Sequence, residues 1–173
     1  MKWRFAGIFL VSFAILMGLA AAINFPHLYR GAVLATVQVV SPVVNGWWLD
    51  YDLPGFVDPV VFRHGDSQLP MLLQLPTLSV GMMPLISLVV ATPGLGAKRI
   101  ILTSVVGAIL YFLLDVAVVL AYPLIMDRPN MVKDTLGVFT GLIAFAVAPL
   151  GLWFALTYST LRSLWDLSPD RRR

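Results

Sequence analysis

Residues Arg99 to Ile125 read RIILTSVVGAILYFLLDVAVVLAYPLI, a long apolar run with a single carboxylate, Asp115, near its middle. A helix needs about 20 residues to cross roughly 30 Å of hydrocarbon, so this run is long enough to span a membrane. The acid opposes insertion by about 2.5 to 3.5 kcal/mol, whereas roughly sixteen Leu, Ile, Val and Phe residues each favour it by about 0.3 to 0.6 kcal/mol. Insertion wins. At about 100° per residue, Ser104, Ala108, Tyr111 and Tyr122 fall in one narrow sector around Asp115, and Val, Leu and Ile fill the remaining faces. That polar sector is expected to look into protein or a wet cavity, because lipid offers a carboxylate no hydrogen bond.

The rest of the chain agrees with a membrane reading. Of its 173 residues 59% are hydrophobic and 12% charged, too apolar a balance for a soluble domain. The net charge of +3 does not indicate a nucleic-acid partner, because the basic residues stand at the ends of apolar runs rather than in a patch. The absence of cysteine excludes disulfides, thiolate metal sites and cysteine nucleophiles. No repeat or Gly/Ser linker divides the sequence, so residues 1–173 are read as a single membrane domain.

Four spans are expected, at about 5–24, 75–92, 99–125 and 135–161, giving an all-α integral membrane protein. The first run ends in Ala20, Ala21 and Ala22, which resemble a signal-peptide cleavage site, but its length favours a retained anchor. Segment 27–70 is the sizeable extracytoplasmic portion. Within it, residues 32–44 are expected to form a helix along the membrane surface, and Trp47, Trp48 and Tyr51 beside Asp50 and Asp52 fit the headgroup layer. Residues 59–62 and 71–75, flanking a turn at His64-Gly65-Asp66-Ser67, predict a β-hairpin. Gly81 and Pro84 interrupt the second span, and Pro149 is expected to bend the fourth. In that fourth span Gly137, Gly141, Ala144, Ala148, Gly151 and Ala155 line up at about 100° per residue, a small-residue face suited to close helix packing.

Orientation follows from the basic residues. Lys2, Arg4, Lys98, Arg99, Arg162, Arg171, Arg172 and Arg173 fall on one side and Arg30, Arg63, Arg128 and Lys133 on the other. The richer side is cytoplasmic, which puts both termini and the tail 162–173 inside and the 126–134 loop outside, in an inner membrane.

Few residues carry chemistry. Asp115 has two readings: a proton-relay, ion-binding or partner-pairing carboxylate, or a protonated or hydrogen-bonded acid locking its helix to a neighbour through Tyr111, Ser104 or a threonine of another span. The second is favoured, because no other acid or base lies within a span to complete a relay. His27 and His64, both on the outer side, are the candidate ligands for a haem or pigment, but an interfacial histidine and a turn histidine explain them as well. No bound cofactor is expected. A zinc site would need acids such as Asp50, Asp52, Asp58 or Asp66 to complete it, and no metal is expected either. Ser67, Ser79 and Ser87 lack a nucleophile-elbow pattern, so hydrolysis is not expected.

One family resemblance lies in the order of features. Pro76-Thr77-Leu78-Ser79-Val80-Gly81 opens the second span and Arg99 begins the third. Asp115-Val116-Ala117-Val118 lies within the third, and Lys133-Asp134-Thr135-Leu136-Gly137 opens the fourth. Residues 70 to 160 thereby resemble the exosortase/archaeosortase family of membrane transpeptidase-like proteins. In that family a span opens near a catalytic Cys, a basic loop follows, the next span carries an Asn shortly before an Arg, and an outer His precedes a Gly-containing final span. The Cys, Arg and His are all missing here, so the resemblance implies a relative without the family's chemistry, or a membrane protein associated with such a sorting system.

The expectation is therefore a non-catalytic accessory or structural subunit that works with the lipid bilayer and another membrane protein subunit. The alternatives are a subunit of a pigment- or haem-containing energy-converting complex and a small proton- or ion-coupled transporter using Asp115.

Overall fold

A computed structural model describes residues 2–50, 60–71, 78–126, 132, 135 and 147–166. Within them the chain is mostly helical, with one small antiparallel sheet. Among the described residues two helices are long and apolar enough to cross a membrane: α1 (Lys2–Ala22) and a 30-residue helix, Ala97–Met126. They coincide with the runs expected at 5–24 and 99–125. Helix α1 exposes apolar side chains along a broad outer face, Ile8, Leu10, Val11, Ile15 and Leu19 among them. Its one serine, Ser12, returns its hydroxyl to the Phe9 carbonyl at 3.0 Å, so the only polar side chain past Arg4 in this helix is satisfied within it.

The chain leaves α1 through Ile23 and Asn24. Asn24 adopts the left-handed conformation (φ 51°), which Asn tolerates better than most residues, and this redirects the backbone into α2 (Phe25–Val44). Pro26 lies in the first turn of α2, where its missing N–H costs nothing. The helix expected at 32–44 thus starts at Phe25. Its inner face repeats at helical spacing through Tyr29, Arg30, Val33, Leu34, Val37 and Ser41, all buried.

Three strands follow: β1 (Trp48–Asp50), β2 (Val60–His64) and β3 (Ser67–Met71), in the order β1-β2-β3. The hairpin between β2 and β3 pairs His64 with Ser67 across Gly65-Asp66, where Gly65 supplies the positive φ (57°) such a two-residue turn requires. The predicted turn is therefore found. The second strand is described over Ser67–Met71, residues 72–75 of the expected strand lie outside the described residues, and β1, read from sequence only as an aromatic headgroup cluster, is a third strand. Leu49, Val60, Phe62 and Met71 face the core, and on the outer face Arg63 and Asp50 form an ion pair at 2.7 Å.

Both free edges of this sheet are tied to helices. The closing pair His64 and Ser67 fixes the alternation of hydrogen-bonded positions, which turns the Pro70 carbonyl of β3 and the Leu49 carbonyl of β1 outward. Tyr122 donates its hydroxyl to the Pro70 oxygen at 3.1 Å, and Gln38 of α2 donates Nε2 to the Leu49 oxygen at 3.5 Å. Pro70 also removes an edge N–H, a common way of blocking strand addition.

Beyond the sheet, residues 78–79 are helical and the backbone turns at Val80-Gly81. It then enters α3 (Met82–Ala91), ten residues or about 15 Å long. Pro84 stands in the first turn of α3, where no intrahelical bond is lost. The interruption expected in the 75–92 run is present, and α3 alone is too short to cross a bilayer. Thr92, Pro93 and Gly94 turn the chain into α4, the Ala97–Met126 helix. The last helix, α5, is described over Ala148–Asp166, within and just beyond the 135–161 run, with Pro149 in its first described turn.

Helix α3 is the hub of the bundle, packing against α1, α4 and α5. The core runs from Tyr29, Val33, Leu34 and Val37 through Leu78 and Leu85 to Tyr111, Val116 and Val119, with Leu49 and Phe62 closing it from the sheet.

Candidate functional site

The polar sector of α4 faces inward. Asp115 and Tyr111, one helical turn apart, both have no exposed surface, and Gly107, Val116, Val119 and Pro123 are buried beside them. The partner of Asp115 comes from α2. Tyr29 donates its hydroxyl to Asp115 Oδ2 at 2.8 Å across 86 residues of sequence. Aromatic neighbours hold Tyr29 in place: Phe25 stacks on it with ring centroids 5.5 Å apart, and Phe112 meets it edge-on at 5.9 Å.

Among the described residues, Asp115 Oδ1 and the Tyr111 hydroxyl are buried without a well-formed hydrogen bond. The Tyr111 hydroxyl abuts the Gly81 backbone so closely that a Cβ at residue 81 would collide with it. Only glycine permits this approach. The site is therefore a closed cluster of Tyr29, Gly81, Tyr111 and Asp115, drawn from α2, the turn before α3, and α4. Asp115 also sits off-centre. It lies 18 residues past Ala97, about 27 Å along α4, and 11 residues before Met126, about 16 Å from that end.

The remaining singled-out residues are dispersed. Ser104 is on the same sector three turns earlier, its hydroxyl buried, and Tyr122 stacks on Phe62 at 6.2 Å while it caps the sheet edge. His64 is exposed on the sheet, its ring 5.3 Å from that of Trp47 and its Nδ1 2.9 Å from the Gly46 carbonyl. His27 is half-buried in the first turn of α2. Among the described residues no group of three or more His, Asp or Glu side chains is placed to hold a metal ion. On the small-residue line of α5, Ala148 is half-buried and Gly151 and Ala155 are exposed. A methyl group at Gly151 would meet nothing within 4 Å. Gly137, Gly141 and Ala144 lie outside the described residues, as do Tyr51, Asp52, Asp58 and most of the 126–134 loop.

Two residues that matter here escaped the sequence reading. Tyr29 carries the only hydrogen bond to Asp115 among the described residues, and the spacing Phe25, Tyr29, Val33, Val37 was the signal for it. Asn45, at the end of α2, accepts from Ser41 Oγ (2.8 Å) and the Trp47 N–H (3.0 Å) and donates to the Leu120 carbonyl (2.9 Å). It joins α2, β1 and α4. No family model, curated protein or solved structure matches this chain.

Proposed function

We propose that this chain is a non-catalytic accessory subunit of a bacterial inner-membrane system, with exosortase-type protein sorting the first system to examine. In this reading it crosses the membrane several times with both termini cytoplasmic, and it holds the outer sheet in fixed register for another membrane protein or an exported substrate. The observation that carries the reading is the Tyr29–Asp115 contact. A buried acid bonded to one tyrosine and walled by Tyr111, Gly81 and apolar side chains is built as a lock between α2 and α4. A transporter would need that carboxylate on a wet path, and its full enclosure weighs against one.

Two further features support a scaffolding role. Tyr122 and Gln38 fasten both sheet edges to the helices, leaving the outer face with Trp48, Asp50 and Arg63 for recognition. Gly151 and Ala155 present a surface that another helix can approach closely. The test is purification from native membranes in mild detergent with the tag on the cytoplasmic tail. A stoichiometric membrane partner is expected. A chain that runs alone, with no co-purifying protein, overturns the accessory role.

A further inference from the structure

Helix α2 has a second apolar face. Leu28, Ala32, Ala35, Val39 and Val43 fall within about 80° of one another at 100° per residue, on the side of the helix away from the centre of its buried face of Tyr29, Arg30, Val33, Leu34, Val37 and Ser41. All five are exposed, Val39 by 76% and Val43 by 87%. A surface helix with its back to water carries polar residues there. This one carries none, and the strip continues without a charge into the exposed Ile23 and Leu19 of α1.

The geometry says what lies against it. Tyr29 and Asn45 are 16 residues apart, about 24 Å of helix, yet they contact α4 at Asp115 and Leu120, only about 7.5 Å apart. Helix α2 therefore crosses α4 steeply. If hydrocarbon begins just past Lys98 and Arg99 and is about 30 Å thick, it ends close to Leu120, and α2 lies in its last 10 Å or so. The sheet flanks α2 on the Gln38 side, and α4 covers the Tyr29 side. The apolar strip is left looking away from α4, level with the lipid-facing side chains of both candidate spans.

We infer that α2 is embedded in the outer leaflet, with Leu28, Ala32, Ala35, Val39 and Val43 packed against lipid acyl chains, so that α2 seals the Asp115 cluster from the side. The inference rests on the membrane reading of the chain, and its test separates the two. The protein has no cysteine, so single nitroxide labels are placed at V39C and V43C, with V105C on the exposed face of α4 and D66C at the hairpin tip as references. The full chain is reconstituted in phosphatidylethanolamine and phosphatidylglycerol vesicles, and collision rates with oxygen and with a water-soluble nickel chelate are compared.

The expected result is an oxygen rate several-fold above the nickel rate at V39C and V43C, as at V105C but at shallower depth, with the reverse at D66C. A nickel-dominated signal at V39C and V43C beside an oxygen-dominated V105C overturns the embedding while leaving the membrane reading intact. Low collision rates with both reagents mean that protein covers the strip, which also overturns it. A nickel-dominated V105C overturns the membrane reading and the inference together.

Discussion

Replacing Tyr29 by Phe tests the lock directly. The phenyl ring keeps its stack on Phe25 and its edge contact with Phe112, so the substitution removes one hydroxyl and nothing else from the core. Its loss leaves Asp115 without its hydrogen bond at Oδ2, in a place with no exposed surface. Orphaning a buried polar group costs about 1–3 kcal/mol. The lower half of that range is expected, about 1–2 kcal/mol, because the unfolded chain in detergent or lipid also finds partners for these groups. For a chain of this size that is a fall of about 2–8 °C in the unfolding midpoint. The assay is thermal unfolding in detergent followed by far-UV circular dichroism, on Tyr29→Phe, Asp115→Leu and the double variant. Removing both partners leaves no orphan, so the double variant should be less destabilised than the sum of the single ones, by at least about 0.5 kcal/mol. A Tyr29→Phe variant as stable as the parent, or strictly additive losses, would refute the lock.

Other positions give sharper contrasts. Gly81→Ala drives a methyl group into the Tyr111 hydroxyl and the Pro149 ring, and overpacking of this kind costs about 1–3 kcal/mol, read as a lowered midpoint in the same assay. Gly151→Ala meets open space and should leave the isolated chain as stable or up to about 1 kcal/mol more so, while reducing the amount of partner recovered in a pull-down. Tyr122→Phe keeps the stack on Phe62 but frees the Pro70 carbonyl, so hydrogen exchange of the 60–71 hairpin should quicken by about 2- to 10-fold, matching a net bond of about 0.5–1.5 kcal/mol. Arg63→Ala breaks an ion pair whose side chains are both more than half exposed, and its effect on the midpoint should lie within about 0.5 kcal/mol of zero.

What the sequence disclosed follows from which signals are local. The apolar runs of α1 and α4 are continuous and long, and the Gly65-Asp66 turn carries its own geometry, so both were legible. Strand β1 was not. Its three residues become a strand only by pairing Leu49 with Phe62, and nothing in Trp48-Leu49-Asp50 announces that partner. The start of α2 was misplaced because His27 and Arg30 lower the hydropathy there, although Pro26 after Asn24 marks a helix start. Asp115 stood out as a costly group from the beginning, and its inward sector was readable at helical spacing. Its partner was not: helical spacing places Tyr29 on the inner face of α2, but nothing local links it to an acid 86 residues away.

The way the sheet is fastened has a consequence for the order of assembly. A two-residue hairpin such as β2–β3 can close within microseconds by itself, but an isolated hairpin is only marginally stable in water. Its remaining support arrives from elsewhere: β1 follows directly from Asn45, which is anchored to Leu120, and the edge bonds come from Tyr122 of α4 and Gln38 of α2. Those two side chains reach the sheet together only after α2 has docked across α4. The sheet is thus completed late, as a report that the helices it packs on have assembled correctly, and a partner that recognised its finished face would engage only chains that had passed that check.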